Sequence, residues 1–594
     1  MPIKHSSPDI YFKELGKRRD KLPRVERDLN PWAAGCYSSQ IRLKQKHREL
    51  ENAIYSLEKM AATASAPGLM KYPGEEVHEA LCDLMTGEFH DILPGSSIEP
   101  VEETSLRLFD HRLEIVSRAK ARSFFALASG QKKAKDGEIP VLVFNPHPYR
   151  VRVIVECEFN LPDFRPREEF IPIEVYKDGK RVVSQLENEL CHHPCEWRKW
   201  IVFAAVLDPG VMNRFDYRLG TMRIGRPTPS LAPKQGKLRF KTADVDIIVN
   251  TKTGLIDRYR TRGVDQVKPG AFEPIVIEDS PDSWEMFERS FRNVTGRFKL
   301  MSRKDGTRYS GIRRGTVPSV RVVKEGPVRT VIEAVFSYGD SFVCQQYKLP
   351  AKGTEMEVAT RVHWNEKDKM VKLSVPTPGR GQNYVGQVAF GVGDLPDNGD
   401  ESVAQRWTAV VSKDGKNALT CINDGTYSSD FSSDGLRLTL LRSSSYAGHP
   451  NEQREFALPL DRYSARMDQG VRLFRFWLNA GTKRERLRSV DREALARNEK
   501  PFALSFYPPG GSAKKPKALA VLSDSVLQLT ALKQAESGNA LIARIFNPTD
   551  RPQSATLSLP TLGRKVPVKL GGYEVRTWKI PRSGAAREVN LLER

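Results

Sequence analysis

What most constrains this chain is a change of hydrophobic period near Pro140: apolar residues recur at helical spacing before it and alternate after it. Ile41, Leu43, Leu50, Ile54, Leu57 and Met60 predict one amphipathic helix over residues 40–62, with Ser38 or Ser39 available to cap it. Val77, Leu81, Leu84, Met85 and Phe89 predict a second over 73–93, stopped by Pro94-Gly95. Leu106, Leu108, Leu113, Ile115 and Val116 predict a third over 101–127. Beyond Pro140 the runs are short and alternating: 139–145, 151–155, 201–206, 245–249, 330–335, 436–440 and 473–477, separated by Gly, Pro, Asn and Asp. Parallel strands would be interleaved with helices, so this pattern means antiparallel sheets. The expected fold class is α+β, a three-helix domain followed by multiple antiparallel β-sandwich domains. The Pro-rich stretches 227–236 and 508–512 mark two joints. The expected division is an irregular lead-in at 1–34, the three-helix domain at 35–135, a small β domain at 136–235, a large β-sandwich at 236–500 and a C-terminal β domain at 501–594.

The formal charge of +21 raises the question of nucleic acid, because neutralising phosphates takes Lys and Arg. The basic residues are spread along the chain, with one modest cluster from Lys17 to Arg27 and no aromatic-interleaved basic motif, so the charge reads as a solvated surface. No nucleic-acid partner is expected. No run approaches the 18 or so apolar residues of a membrane span, so no membrane association is expected either. Residues 1–7 have no apolar signal-peptide core, and seven cysteines, an odd number, do not read as a disulfide framework. A cytoplasmic location follows as the expectation, with the Asn293-Val294-Thr295 sequon unused.

Three stretches carry chemistry. In Thr86–Ile98, His90 stands beside Asp91 at the end of the second predicted helix, pairing the commonest neutral metal ligand with a carboxylate that can take a substrate hydroxyl. The dipeptide by itself reads as a surface pair, or as a cationic side chain favouring the helix C-terminus. Cys191-His192-His193-Pro194-Cys195 has zinc-like spacing but no second ligand pair, and is expected to be a hairpin loop. Asp279, Asp282 and Glu285 are expected to form a polar rim, because no further carboxylate is brought opposite them.

The string Phe89-His90-Asp91-Ile92-Leu93-Pro94-Gly95-Ser96-Ser97-Ile98 resembles the bacterial and vacuolar-type α-mannosidases of glycoside hydrolase family 38. Further stretches resemble that family in the same order: Gly35 to Gln40, Asn250 to Ile256, Glu278 to Trp284, Leu440 to Ala447, Asp468 to Gly470 and Arg544 to Thr549. The resemblance covers nearly the whole chain and implies the C-terminal two-thirds of such an enzyme, its large sandwich a galactose-mutarotase-like supersandwich. It implies His90 as a zinc ligand, Asp91 as the residue holding mannose hydroxyls, and Trp284 and Arg442 as further substrate-binding candidates. The implied activity is retaining, zinc-dependent hydrolysis of terminal α-mannosides. In the family the nucleophile, the acid and three of four zinc ligands lie in an N-terminal α/β domain, and no His-x-Asp pair occurs here. No catalytic residue is therefore expected in this chain, and zinc only when a separately encoded α/β half is supplied. The alternative is a non-catalytic carbohydrate-binding or structural remnant. Residues 1–34 and the His90 end of the helical unit are expected to form a docking face, with Tyr11, Phe12, Phe89, Ile92 and Leu93 exposed.

Overall fold

The computed structural model describes residues 3–25, 32–189, 195–379, 381–451, 453–459, 461–510, 515–524 and 526–594. Two compact units separate at Trp32, residues 1–32 and 33–594. The first contains helix α1, Pro8–Gly16, where an irregular lead-in was expected. Its local signal is Ser7-Pro8: the Ser7 hydroxyl accepts from the Ile10 N–H, and proline at the first helical position needs no donor. None of the residues of α1 is buried.

The second unit opens with helices α2 (Ile41–Ser65), α3 (Gly74–Gly87) and α4 (Glu99–Ala128), which share a core of Leu50, Ile54, Leu57, Val77, Leu84 and Phe109. Two short helices follow among the strands, α5 (Arg303–Tyr309) and α6 (Lys483–Asn498). Every strand pairing among the described residues is antiparallel, as the alternating runs require; the Ile201–Val206 run, for example, lies within a strand laddered to Val151–Pro166. A five-stranded and a three-stranded sheet sandwich Val143, Val153, Phe203 and Tyr217. The strand Phe502–Ser505 pairs with Glu138–Phe144, so this sheet draws on both sides of the boundary expected at residue 500. A ten-stranded and a six-stranded sheet enclose the largest core, which includes Tyr347, Trp364, Leu373, Leu438 and Phe474. A four-stranded and a three-stranded sheet close the C-terminal region over Leu529, Ile545, Leu557 and Trp578. The Cys191–Pro194 part of the expected hairpin loop, and Gly511 and Ser512 of the second Pro-rich joint, lie outside the described residues.

Two helical expectations change. First, α3 stops at Gly87, so His90 and Asp91 lie in the turns beyond the helix rather than in its last turn. The chain leaves the helix where Gly87 meets the buried Phe109 ring, at a spot where a Cβ would overlap that ring. Second, α2 leaves only a narrow polar face in water, around Arg42, Lys46 and Glu49. Of its 25 residues 17 are buried, including Lys44, Arg48, Glu58 and Lys59. Neither Ser38 nor Ser39 caps it: Gln40 occupies the cap position at φ 49°, and the Ile41 N–H donates instead to Asp468 Oδ2 at 2.9 Å.

Gly87→Ala is expected to lower stability by about 1–3 kcal/mol through overpacking against Phe109, measured by urea unfolding. Phe109→Leu in the same chain should recover part of that loss, whereas additive losses would show that the Gly87 contact is not the cause.

Candidate functional site

Five of the stretches singled out in the sequence meet at the N-terminal end of α2. Ser39 donates through Oγ to the Ser283 carbonyl at 2.7 Å, and the Gly35 N–H donates to the Trp284 carbonyl at 2.9 Å, tying the α2 entry to the loop 279–285. The Gln40 side-chain amide donates to the Ser97 carbonyl at 2.9 Å, which ties the same entry to the turns after His90. Gly95, at φ 81°, rests on Ser39 so closely that a Cβ there would overlap the Ser39 carbonyl. On the other side of α2, Glu102 of α4 accepts from Arg42 Nε at 3.1 Å and from the Tyr446 hydroxyl at 2.7 Å. The segments 35–40, 89–98, 278–285, 442–446 and 468 thus form one layer under the His90 turn.

Arg442 is the centre of that layer. Expected to contact substrate, it is instead fully buried: Nε and one terminal nitrogen hold both oxygens of Asp279, with Nε to Oδ2 at 2.9 Å, and the guanidinium also donates to Glu285 Oε2 at 3.2 Å and to the Ser283 carbonyl at 3.3 Å. A planar fork gripping a carboxylate at two points fixes orientation as well as charge. The backbone of Gly35 lies against this guanidinium with no room for a Cβ. Asp279, Asp282 and Glu285 are likewise not a rim. The Asp279 side chain has no exposed surface, Asp282 accepts from the Trp284 and Met286 N–H groups at 2.9 and 3.1 Å, and Glu285 is 6 % exposed. Burial pushes the Glu285 carboxyl up, opposed by Arg442. Trp284 is half-buried, its ring edge-on to His449 at 5.7 Å.

Above this layer His90 and Asp91 face water. The His90 side chain is 79 % exposed and that of Asp91 43 %, with His90 Nε2 3.5 Å from Asp91 Oδ2. Phe89 lies against the imidazole with ring centres 4.2 Å apart, and Ser96 Oγ donates to Asp91 Oδ1 at 3.2 Å. The turn is held from beneath by Lys44, whose ammonium donates to the carbonyls of Ser39, Leu93 and Pro94 at 2.5, 2.7 and 3.0 Å. Burial lowers this ammonium to about 8, because three carbonyl dipoles replace water without supplying a counter-charge. Nearby, burial pushes the Cys36 thiol up. Burial, with Glu102 beside it, pushes Asp468 up to about 6. Among the described residues no three His, Cys, Asp or Glu side chains converge as metal ligands, and no helix is long and apolar enough to cross a membrane.

Three family models match in chain order. The Alpha mannosidase middle domain matches residues 32–122, the Glycosyl hydrolases family 38 C-terminal domain 244–452, and the Glycosyl hydrolases family 38 C-terminal beta sandwich domain 527–594. The chain belongs to glycoside hydrolase family 38. It is similar to Alpha-mannosidase of Saccharomyces cerevisiae, 22 % identical over 73 % of this chain and 35 % of that protein. It is also similar to Alpha-mannosidase G of Dictyostelium discoideum, 20 % identical over 92 % of this chain and 49 % of that one. It therefore spans about a third to a half of the length of these curated relatives. The fold is that of a crystal structure of an alpha-mannosidase from Enterococcus faecalis V583, with a TM-score of 0.74 at 14 % identity, over 97 % of this chain and 72 % of that one. What sequence reasoning missed in this family 38 chain is part of the layer beneath His90: Lys44 and Glu102 carry no motif signal, and only their buried hydrogen bonds show their part.

Two outcomes follow. Arg442→Met should cost about 3–5 kcal/mol in urea unfolding, because Asp279 and Glu285 then lose the cation that compensates their buried charge. For Lys44 the folded ammonium deprotonates near 8 and the unfolded one near 10.5, so between these values the unfolded chain binds more protons and the folded state gains stability as pH rises. That gain, approaching about 1.4 kcal/mol per pH unit, should be present in the wild type and missing in Lys44→Met. Equal pH profiles in the two proteins would show that Lys44 is not buried as described.

Proposed function

We propose that this chain supplies the helical and β part of an α-mannosidase, with His90 and Asp91 forming one wall of its active site. The observation that supports this reading is the buried Arg442 layer, which uses the family-like stretches to hold one exposed imidazole and one exposed carboxylate. A fixed polar pair of this kind can grip sugar hydroxyls, the charged carboxylate accepting their protons. The reading is hydrolysis of terminal α-mannosides with retention of configuration, which needs two carboxyl groups flanking the scissile bond about 5–5.5 Å apart. We assign that pair to an α/β half outside these residues, either a separate chain or further sequence.

Zinc does not fit the described residues taken alone. A catalytic zinc takes three protein ligands, and His90 has a single carboxylate neighbour. His90 would serve as one of its ligands only once the other half is present.

The face offered to that half is apolar around the pair: Met85, Phe89 and Ile98 are 58, 54 and 52 % exposed, with Ile92 and Leu93 half-buried beside them. Within the first unit, Tyr11 and Phe12 are 58 and 64 % exposed on a helix that buries nothing, which suits a segment that docks elsewhere. A solitary carbohydrate-binding role is the second reading, favoured by the exposure of Asp91 without a partner carboxylate.

The test is metal analysis and an aryl α-mannoside assay on the 594-residue chain, then on the chain mixed with a family 38 α/β half. The chain alone should show no turnover and no stoichiometric zinc, and the mixture should show both. In the mixture His90→Ala should lose zinc, while Asp91→Asn should keep zinc and lose turnover at least about a hundredfold through weaker transition-state binding. Robust turnover by the chain alone would overturn the proposal, and binding of mannosides by the chain with no gain from the α/β half would favour the second reading.

A further inference from the structure

His90 and Asp91 are the two central residues of a β-turn, closed by the Ile92 N–H donating to the Phe89 carbonyl at 2.8 Å. A turn closed in this way moves as one piece, so the direction of its two polar side chains depends on what holds its ends. One face of α2 does so. Gln40, Lys44 and His47 fall at i, i+4 and i+7, which puts them in one row. That row meets residues 88–97 in reverse order. The Gln40 amide donates to the Ser97 carbonyl at 2.9 Å, and Ser97 Oγ returns a bond to Gln40 Oε1 at 3.3 Å. Lys44 takes the carbonyls of Leu93 and Pro94, just after the turn. His47 Nε2 lies 3.0 Å from Glu88 Oε1, just before it.

The side before the turn is the softer one. There the Glu88 and Phe89 N–H groups donate to the Met85 and Thr86 carbonyls of α3 at 3.1 and 3.2 Å, and the ends of helices fray. His47 is the α2 side chain that reaches this side. It is buried, with its ring edge-on to Phe109 at 6.0 Å, the same ring that Gly87 meets where α3 stops. A carboxylate only accepts, so His47 Nε2 donates, and the imidazole cannot swing away without leaving Phe109. The Glu88 side chain is 44 % exposed, so water screens the pair and its share of global stability is small. What the contact fixes is local: the approach of the chain to the His90 turn.

We propose that His47 and Glu88 are positioning residues for His90 and Asp91, an inference that rests on the mannosidase reading of that pair. With Lys44 on the far side, they hold the turn at both ends, so that imidazole and carboxylate meet the sugar in one orientation. Neither residue touches substrate. Holding of this kind acts on turnover more than on capture, because a tilted turn still binds a mannoside but presents it less often in the productive geometry.

Two measurements test this, the first on the full 594-residue chain alone. His47→Leu should speed hydrogen exchange across residues 88–93 about three- to tenfold, the worth of one hydrogen bond, with the melting temperature and the rest of α2 unchanged. Glu88→Ala should do the same from the exposed partner, without touching the core. His47→Gln, whose amide can donate from nearly the same place, should exchange like the wild type. The second measurement uses the chain mixed with a family 38 α/β half and an aryl α-mannoside. There His47→Leu and Glu88→Ala should lower kcat about tenfold or more with KM little changed and zinc kept, and His47→Gln should recover most of the loss. Exchange unchanged in both His47→Leu and Glu88→Ala, or His47→Gln behaving as His47→Leu, would overturn the proposal. Faster exchange with kcat unchanged in an active mixture would overturn the positioning role. A wild-type mixture without turnover would overturn the mannosidase reading and the catalytic role with it, while the exchange data still decide whether α2 holds the turn.

Discussion

A helix with most of its surface buried is the constraint on which the rest of this molecule depends. α2 places Ile41 in the core of the large sandwich, Leu50 and Leu57 in the helical core, Met60 against the small β domain and Ala62 in the core of the C-terminal region. Its buried Lys44, Arg48, Glu58 and Lys59 have no water to turn to, and a buried charge without a partner costs several kcal/mol. Several partners come from distant parts of the chain: Arg48 donates to the Tyr427 hydroxyl and the Gln405 carbonyl at 3.1 and 3.2 Å, and Lys59 pairs with Glu499, 440 residues away. The sandwiches are therefore arranged around α2 by its polar residues as much as by its apolar ones.

The same principle shapes the candidate site. His90 and Asp91 sit on turns with little regular structure of their own, yet Lys44 holds three carbonyls beneath them and Arg442 fixes the adjoining loop through Asp279 and Glu285. Both cations act from below the surface and neither reaches the space where a ligand would lie. A site raised on charge-assisted hydrogen bonds inside a dry layer is stiff, which is what positioning a hydroxyl requires.

Periodicity made the architecture legible. The three helices start within a few residues of where the apolar spacing puts them, and the alternating runs after Pro140 are strands, because a half-buried strand cannot hide its period of two. Long-range polar partnerships were not legible. Ser38 and Ser39 look like caps for α2, yet the acceptor is Asp468, 427 residues on, and no local rule can find it. Arg442 reads as a substrate ligand because arginine in a family-like stretch usually faces function, and only its burial shows that it binds the protein itself. The early end of α3 at Gly87 depends on Phe109 arriving from α4, which spacing within α3 cannot reveal. Sequence pattern records which faces are apolar; it does not record which distant charge will close a polar one.

The Asp468 cap also bears on how the molecule comes into being. A ribosome releases the N-terminal residues of α2 long before Asp468 is polymerised, and at roughly 5–20 residues per second the 427 intervening residues take about 20–90 s. Throughout that interval the nascent helix has an open first turn, an unanswered Lys59 and no sandwich to lie against, because Glu499 is made later still. The emerging helix must be kept from mispairing until Asp468 and Glu499 have been made.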